Sequence, residues 1–98
     1  MLMIEIHEFA SQEFDEAIDW YESQAKGLGN RFKNSVIKQI NHIQKNPGWF
    51  LKEDDTIYKA YIPKFPYKIL FTFNKDCIII WAISHLHRKP WHWQSRIN

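Results

Sequence analysis

The sequence predicts a small α+β fold, in which a helical hairpin packs on one face of a mainly antiparallel sheet. Three observations predict it: apolar residues alternate at the start of the chain, two stretches with a helical apolar period follow, and three strand-like segments come last. With 98 residues, the chain is the length of one domain, which we expect to span residues 1–98.

The first half of the chain predicts one strand and two helices. Alternating apolar residues within Met1–His7 indicate the strand. A helix is predicted from close to Ser11 to about Gln24, because acids enrich its first turn and apolar side chains share one face. A glycine-rich turn at 27–29 ends it. A second helix with its own apolar stripe follows, and the Asn-Pro-Gly sequence at 46–48 terminates it.

The second half predicts three strands, at Ile57–Ile62, Tyr67–Asn74 and Cys77–Ser84. The Asn-Lys-Asp sequence at 74–76 is typical of a tight turn, so the last two strands should form a hairpin. The expected arrangement is an N-terminal strand, a helical hairpin and then a three-stranded antiparallel meander. The meander forms a curved sheet with the helices on one face. The segment Trp49–Thr56, which carries three acids, is expected to be a loop.

Charge is distributed very unevenly along the chain. Residues 1–25 contain seven acids and no Lys or Arg, whereas residues 26–98 contain all 13 Lys and Arg and four acids. We therefore expect one acidic and one basic surface, the latter suited to nucleic acid or to an acidic protein segment. An ordinary solvated surface is the alternative interpretation of the same pattern.

Several function classes are not supported by the sequence. No apolar run reaches the roughly 18–20 residues that a membrane span needs. The first 25 residues also lack the basic start of a secretory signal, so we expect a cytoplasmic protein without a membrane partner. His85 and His87 invite a metal site, but no acid follows Asp76, so we predict no metal and no cofactor. No phosphate-cradling glycine loop or nucleophile motif is present.

The most informative residues are cations on and beside the predicted strands. They are Lys59, Lys64, Lys68, His85, His87, Arg88 and Lys89. Lysine and arginine bind phosphates, and aromatics such as Tyr61 and Tyr67 can stack on bases. A ribonuclease that works without a metal needs cations for the transition-state charge and one group that moves a proton. The alternative is that these lysines are simply solvent-facing strand residues.

Over nearly its whole length the chain resembles the RelE/ParE superfamily of bacterial type II toxin–antitoxin toxins. The resemblance rests on an ordered set of short motifs, namely the helix Glu13–Tyr21 with Ala17, Gly27-Leu28-Gly29 with Phe32, Asn46-Pro47, Phe65-Pro66-Tyr67-Lys68-Ile69-Leu70-Phe71, and His85-Leu86-His87-Arg88-Lys89-Pro90 with Trp93. The family's fold agrees with the element order derived above. RelE-like members cut mRNA in the ribosomal A site without metal, and ParE-like members poison DNA gyrase.

The resemblance implies a partial nuclease set. Lys59 matches a strand lysine of RelE-like members, Lys68 a strand arginine, and Arg88 the arginine after the last strand. Tyr61 stands where a second lysine is expected, and Trp93 or Gln94 stands near an expected tyrosine. His85 or His87 is then the candidate proton-transfer group. Lys64, Tyr61, Tyr67 and Lys89 are the candidates for RNA binding.

Three functions remain open from the sequence. The first is a ribosome-dependent mRNA endonuclease, the second a non-catalytic gyrase inhibitor, and the third a degenerate toxin that only binds its antitoxin. In each, the resemblance implies a cognate antitoxin and a toxin–antitoxin hetero-oligomer. The targets would be the ribosome and mRNA in the first case and DNA gyrase in the second.

Overall fold

A computed structural model describes residues 2–87 and 94–97. The elements follow in the order β1 Met3–Ile6, α1 Glu8–Gln24, α2 Leu28–Lys45, a 3₁₀ turn Pro47–Trp49, β2 Leu51–Lys52, β3 Tyr58–Tyr61, β4 Tyr67–Phe73, β5 Cys77–His85 and the short helix α3 Gln94–Ile97. The α+β class, the helical hairpin and the meander of three antiparallel strands are confirmed. No helix of the described part of the chain is long and apolar enough to cross a membrane.

The sheet is five-stranded and mixed, in the order β1-β5-β4-β3-β2. The pairs β2–β3, β3–β4 and β4–β5 are antiparallel, and β1 lies parallel to β5, with Met3 opposite Cys77 and Ile6 opposite Ile80. β1 and β5 are joined through the helices and the meander, so no tight turn forces them to be antiparallel. Beyond Ile80, β5 therefore continues past the end of its neighbour.

Two details of the predicted elements were wrong. α1 begins at Glu8 and not close to Ser11, because the Nδ1 atom of His7 accepts a hydrogen bond of 3.1 Å from the backbone N–H of Phe9 and caps the helix. The predicted loop 49–56 contains the strand β2, which pairs with Tyr58 and Lys59. A strand of two residues is too short to show an alternating pattern.

An aromatic cluster joins the hairpin to the sheet. Phe32 of α2 is fully buried, and its ring centroid lies 4.9 Å from that of Tyr21, 5.2 Å from that of Phe65 and 5.0 Å from that of Tyr67. Such tilted and edge-on contacts stabilise a core beyond the burial of apolar area. The helices therefore cover one face of the sheet, the face toward which Tyr67 points.

Gly29 allows the two helices to approach closely. A Cβ atom at this position would lie 2.6 Å from the carbonyl oxygen of Ile18 and 2.9 Å from Cβ of Glu22. The Glu22 carboxylate also accepts hydrogen bonds from the N–H groups of Gly27 and Gly29. This contact holds the start of α2 against the end of α1.

Gly29→Ala is therefore expected to lower the free energy of unfolding by about 1–2 kcal/mol, because overpacking outweighs the better helix propensity of alanine. Urea denaturation followed by circular dichroism measures the change. Gly48→Ala is the matched control, since its Cβ would meet only an ordinary contact at 3.7 Å. Equal stability of the two variants would contradict the close approach at Gly29.

Candidate functional site

The helix-free face of the sheet carries the predicted strand cations. Tyr61 lies opposite Lys68 and Lys59 lies opposite Leu70 in the β3–β4 register. Because residues two apart on a strand point to the same side, Lys59, Tyr61 and Lys68 share one face. Lys68 follows Tyr67, whose ring packs on the helices, so this shared face is the one that α1 and α2 leave uncovered. The Lys59 Nζ atom lies 5.6 Å from the centroid of the Tyr61 ring.

Lys68 has a counter-ion that the sequence did not indicate. Its Nζ atom lies 2.8 Å from the Oε1 atom of Glu53, and the two side chains are 19% and 27% exposed. Glu53 belongs to the acidic segment after β2, and β3 lies between β2 and β4 in the sheet, so the ion pair spans the face of β3. The ammonium group is thus partly neutralised in the free protein. A phosphate that binds Lys68 has to compete with this carboxylate.

Ser84 is the cross-strand partner of Lys68 and is 2% exposed. Its hydroxyl oxygen has no hydrogen-bond partner among the described residues. The same face also holds a small apolar cluster of Ile57, Leu70 and Ala82, against which Ile97 of α3 packs. The C-terminal helix therefore covers the part of this face around Leu70 and Ala82, and not the part around Lys59 and Lys68.

The histidines lie at the same end of the sheet, with His85 on its other side and His87 just past the end of β5. His85 is opposite Tyr67 in the register, and their ring centroids are 5.3 Å apart in an edge-on contact. His87 follows the end of β5, is exposed, and its ring centroid lies 5.2 Å from that of His85. The backbone N–H of His87 donates a 3.1 Å hydrogen bond to Nδ1 of His85, so this nitrogen of His85 is an acceptor.

His85 and Tyr67 line a cleft of about 280 Å³ between α1 and the end of β5. Glu13 and Glu16 line the same cleft, which makes it unfavourable for a phosphate. Burial raises the pKa of the Tyr67 phenol above its ordinary value of 10.0, and the negative charge of Glu13 raises it further. Tyr67 therefore stays protonated at neutral pH, where it can donate a hydrogen bond but cannot act as a base.

The remaining predicted residues are placed as follows. Lys64 lies in the turn between β3 and β4, is exposed, and has a positive φ of 69°. Arg88 and Lys89 lie outside the described residues. Among the described residues, no three His, Cys, Asp or Glu side chains form a group that could hold a metal ion. The structure thus brings Lys59, Tyr61 and Lys68 together, and it places Tyr67 and His85 on the opposite side of the sheet.

A buried ion pair at the edge of β5 was not predicted from the sequence. Arg96 of α3 donates to both carboxylate oxygens of Glu13, over 2.9 and 3.1 Å, and to the carbonyl oxygen of Trp81 over 2.9 Å. Oε1 of Glu13 also accepts a 3.1 Å hydrogen bond from the N–H of Ile83. These contacts satisfy backbone groups of β5 beyond the end of β1 and join the C-terminus to α1.

The backbone arrangement has a counterpart among solved structures. No protein-family model and no curated protein sequence matches the chain. A chain of the structure described as "Chromosomal ParDE TA system from P. aeruginosa" superposes with a TM-score of 0.73 and 16% identity, covering 87% of this chain and 96% of that chain. This protein shares the fold of that chain. At 16% identity, the match describes the backbone and transfers no role to a residue.

Proposed function

We propose that this chain is the toxin of a type II toxin–antitoxin pair, and that it cleaves mRNA on the ribosome without a metal ion. The observation that carries the proposal is the shared position of Lys59, Tyr61 and Lys68 on the helix-free face of a RelE/ParE fold. Two cations and an aromatic ring on a rigid sheet suit a phosphate and its neighbouring base. The protein would act in the cytoplasm, where translating ribosomes are found.

In this mechanism, Lys59 and Lys68 bind the scissile phosphate and stabilise the charge that it gains in the transition state. Arg88 has the same role by its resemblance to RelE-like members. His87 is the better candidate for proton transfer, because it is exposed, whereas His85 faces the acidic cleft beside Glu13. The Tyr61 ring stacks on a base, and Tyr67, Lys64 and Lys89 are further candidates for RNA contact.

An antitoxin is the expected partner in a hetero-oligomer. Large apolar side chains remain exposed on α1, with Phe9 46% and Trp20 56% accessible to solvent. Exposed aromatics of this size are typical of protein interfaces. An antitoxin segment that covers them would also stabilise this small domain by mass action.

Gyrase inhibition is the second candidate, and two observations favour it. A solved structure with the same fold is described as a ParDE system, and Lys68 is already paired with Glu53 in the free chain. A binding protein without nuclease activity needs no free cation at this position. A degenerate toxin that only binds its antitoxin is the third candidate.

Inducing the chain alone in growing cells separates the three functions. With pulse labels for protein and DNA synthesis, the endonuclease should stop translation first, because message is destroyed. Gyrase inhibition would instead stop DNA synthesis while translation continues. Growth without arrest in either assay would leave only the antitoxin-binding function.

The ion pair leads to a specific prediction. Glu53→Gln should raise the rate of ribosome-dependent cleavage about two- to fivefold, because a partly exposed pair is worth up to about 1 kcal/mol and its loss frees Lys68. Initial cleavage rates on a stalled ribosome–mRNA complex measure the change. Asp76→Asn, in the turn before β5, is the control and should leave the rate unchanged. A lower rate in Glu53→Gln would mean that Glu53 holds Lys68 in its working position.

A further inference from the structure

The second helix is the most basic element of the described chain. Between Leu28 and Lys45 it carries one arginine, three lysines and no acid, whereas α1 carries six acids and no Lys or Arg. Glu22 approaches α2 only at its start, where it binds backbone N–H groups. The charge difference between the two sequence halves is therefore a difference between two neighbouring helices. The exposed side of α2 is a surface that the proposed catalysis does not use.

Three clefts lie in series along α2, with volumes of about 450, 290 and 400 Å³. The first and second share Ser35 and Lys64, and the second and third share Gln39 and His42, so together they form one groove, which we call the α2 groove. Its cations are Arg31, Lys38, Lys45 and Lys64. No Asp or Glu of the described residues lines any of the three clefts.

The groove has a fixed wall on its β3 side. Gln39 donates a 2.7 Å hydrogen bond from Nε2 to the carbonyl oxygen of Tyr61, and its Oε1 atom lies 3.1 Å from Nδ1 of His42. At the far end stands Trp49, which is 83% exposed. Lys64 reaches the groove from the turn between β3 and β4, where its positive φ sets the direction of the chain. The cations of the groove therefore come from two elements and form one surface.

Its dimensions suit a nucleic-acid strand. Arg31 and Lys45 are 14 residues apart on α2, which corresponds to about 21 Å at 1.5 Å per residue. A strand of B-form DNA carries a phosphate about every 3.4 Å along its axis, so the groove is long enough for about six phosphates of a double-helical strand of this kind. An acidic peptide would rest mainly on apolar lining residues such as Leu28, Phe50 and Trp49, which lie at the two ends of the groove. The cations are spread over its whole length, and this spacing favours a repeating phosphate backbone.

We propose that the α2 groove binds the phosphate backbone of double-helical RNA. The cations contact phosphates and not base edges. Contacts to the nucleic-acid backbone fix the position of the protein but carry no sequence information. The groove lies on the helix-covered side of the sheet, opposite Lys59 and Lys68, so it contacts a different stretch of RNA from the proposed cleavage face. The choice of RNA over DNA rests on the proposed function. The inference that the groove binds phosphates rests on its geometry and charge.

Fluorescence anisotropy with a short labelled RNA duplex tests this proposal on the full chain, in the absence of ribosomes. The groove variant is Arg31→Gln, Lys38→Gln and Lys64→Gln together. Its control is Lys26→Gln, Lys33→Gln and Lys75→Gln, which removes the same charge from residues that line none of the three clefts. Circular dichroism checks that both variants keep the fold.

The groove variant should bind RNA on the order of 100-fold more weakly at 0.1 M salt. It loses three phosphate contacts, and each contributes about 0.7–0.9 units to the logarithm of the affinity at this salt concentration. Its plot of log affinity against log salt should be shallower by about three units than that of the parent chain. The control should keep most of the affinity and the slope.

Three results would overturn the proposal. One is equal loss in both variants, which would mean that only net charge matters. Another is tighter binding of a DNA duplex of the same sequence than of the RNA. The third is absence of RNA binding in the parent chain at 0.1 M salt, whether or not the chain self-associates. Because no ribosome is present, a failure of mRNA cleavage would refute the proposed function and leave this result standing.

Discussion

Arg96→Met is expected to lower the free energy of unfolding by about 3 kcal/mol, because removing one partner of a buried ion pair leaves the other charge buried. The Arg96 and Glu13 side chains are only 7% and 11% exposed. Glu13 would keep its hydrogen bond from Ile83, but the carbonyl of Trp81 would lose its guanidinium donor. For a chain of this length, the midpoint of thermal unfolding should fall by about 10 °C or more.

Chemical denaturation of the purified chain measures this change. Arg31→Met is the control, because it removes an arginine from the exposed surface of α2 and should change stability by less than about 0.5 kcal/mol. A double-mutant cycle with Glu13→Gln should give a coupling energy above about 1 kcal/mol. A loss below about 1 kcal/mol in Arg96→Met would show that α3 does not hold α1 and β5 together.

Lys68→Met is expected to lower the rate of ribosome-dependent mRNA cleavage about 100- to 1000-fold, the usual effect of removing one group that stabilises transition-state charge. Methionine keeps most of the length and the apolar stem of the side chain, so the effect of the charge is isolated. Lys59→Met should reduce the rate as well, because both ammonium groups lie on the helix-free face. Single-turnover cleavage on a programmed ribosome complex provides the rates.

Lys75→Met is the matched control, since Lys75 lies in the exposed turn before β5 and should keep the parent rate. An unfolding midpoint close to that of the parent chain would exclude a general loss of structure in each variant. If Lys68→Met cleaves at the parent rate, the helix-free face is not where the phosphate reacts.

Much of the fold follows from local signals in the sequence. The glycine turn at residues 27–29 marks the start of α2, and the Asn-Pro-Gly sequence at 46–48 marks its end, because glycine and proline interrupt helices for local steric reasons. The turn at 74–76 joins β4 and β5, where Oδ1 of Asn74 accepts from the N–H groups of Asp76 and Cys77. The cap by His7 and the strand β2 were missed. The first is an unusual capping residue, and the second gains its pairing only from Tyr58 and Lys59.

The candidate site, like the fold, could be predicted from the sequence only in part. The common face of Lys59 and Lys68 could be predicted in outline, because antiparallel pairing and a period of two follow from the strand order. The Glu53–Lys68 and Glu13–Arg96 pairs could not, since they join residues 15 and 83 positions apart and depend on side-chain positions. The side of the sheet on which His85 lies also depended on the register, which sets Tyr67 opposite His85.

Primer extension on a defined message tests the central claim most directly. The purified chain is added to a translation reaction with the message, with and without ribosomes. We predict new 5′ ends within the translated region that require ribosomes and disappear when the antitoxin is added. An intact message in the presence of ribosomes, together with trapped gyrase–DNA cleavage complexes in a parallel reaction, would contradict the endonuclease account in favour of gyrase inhibition.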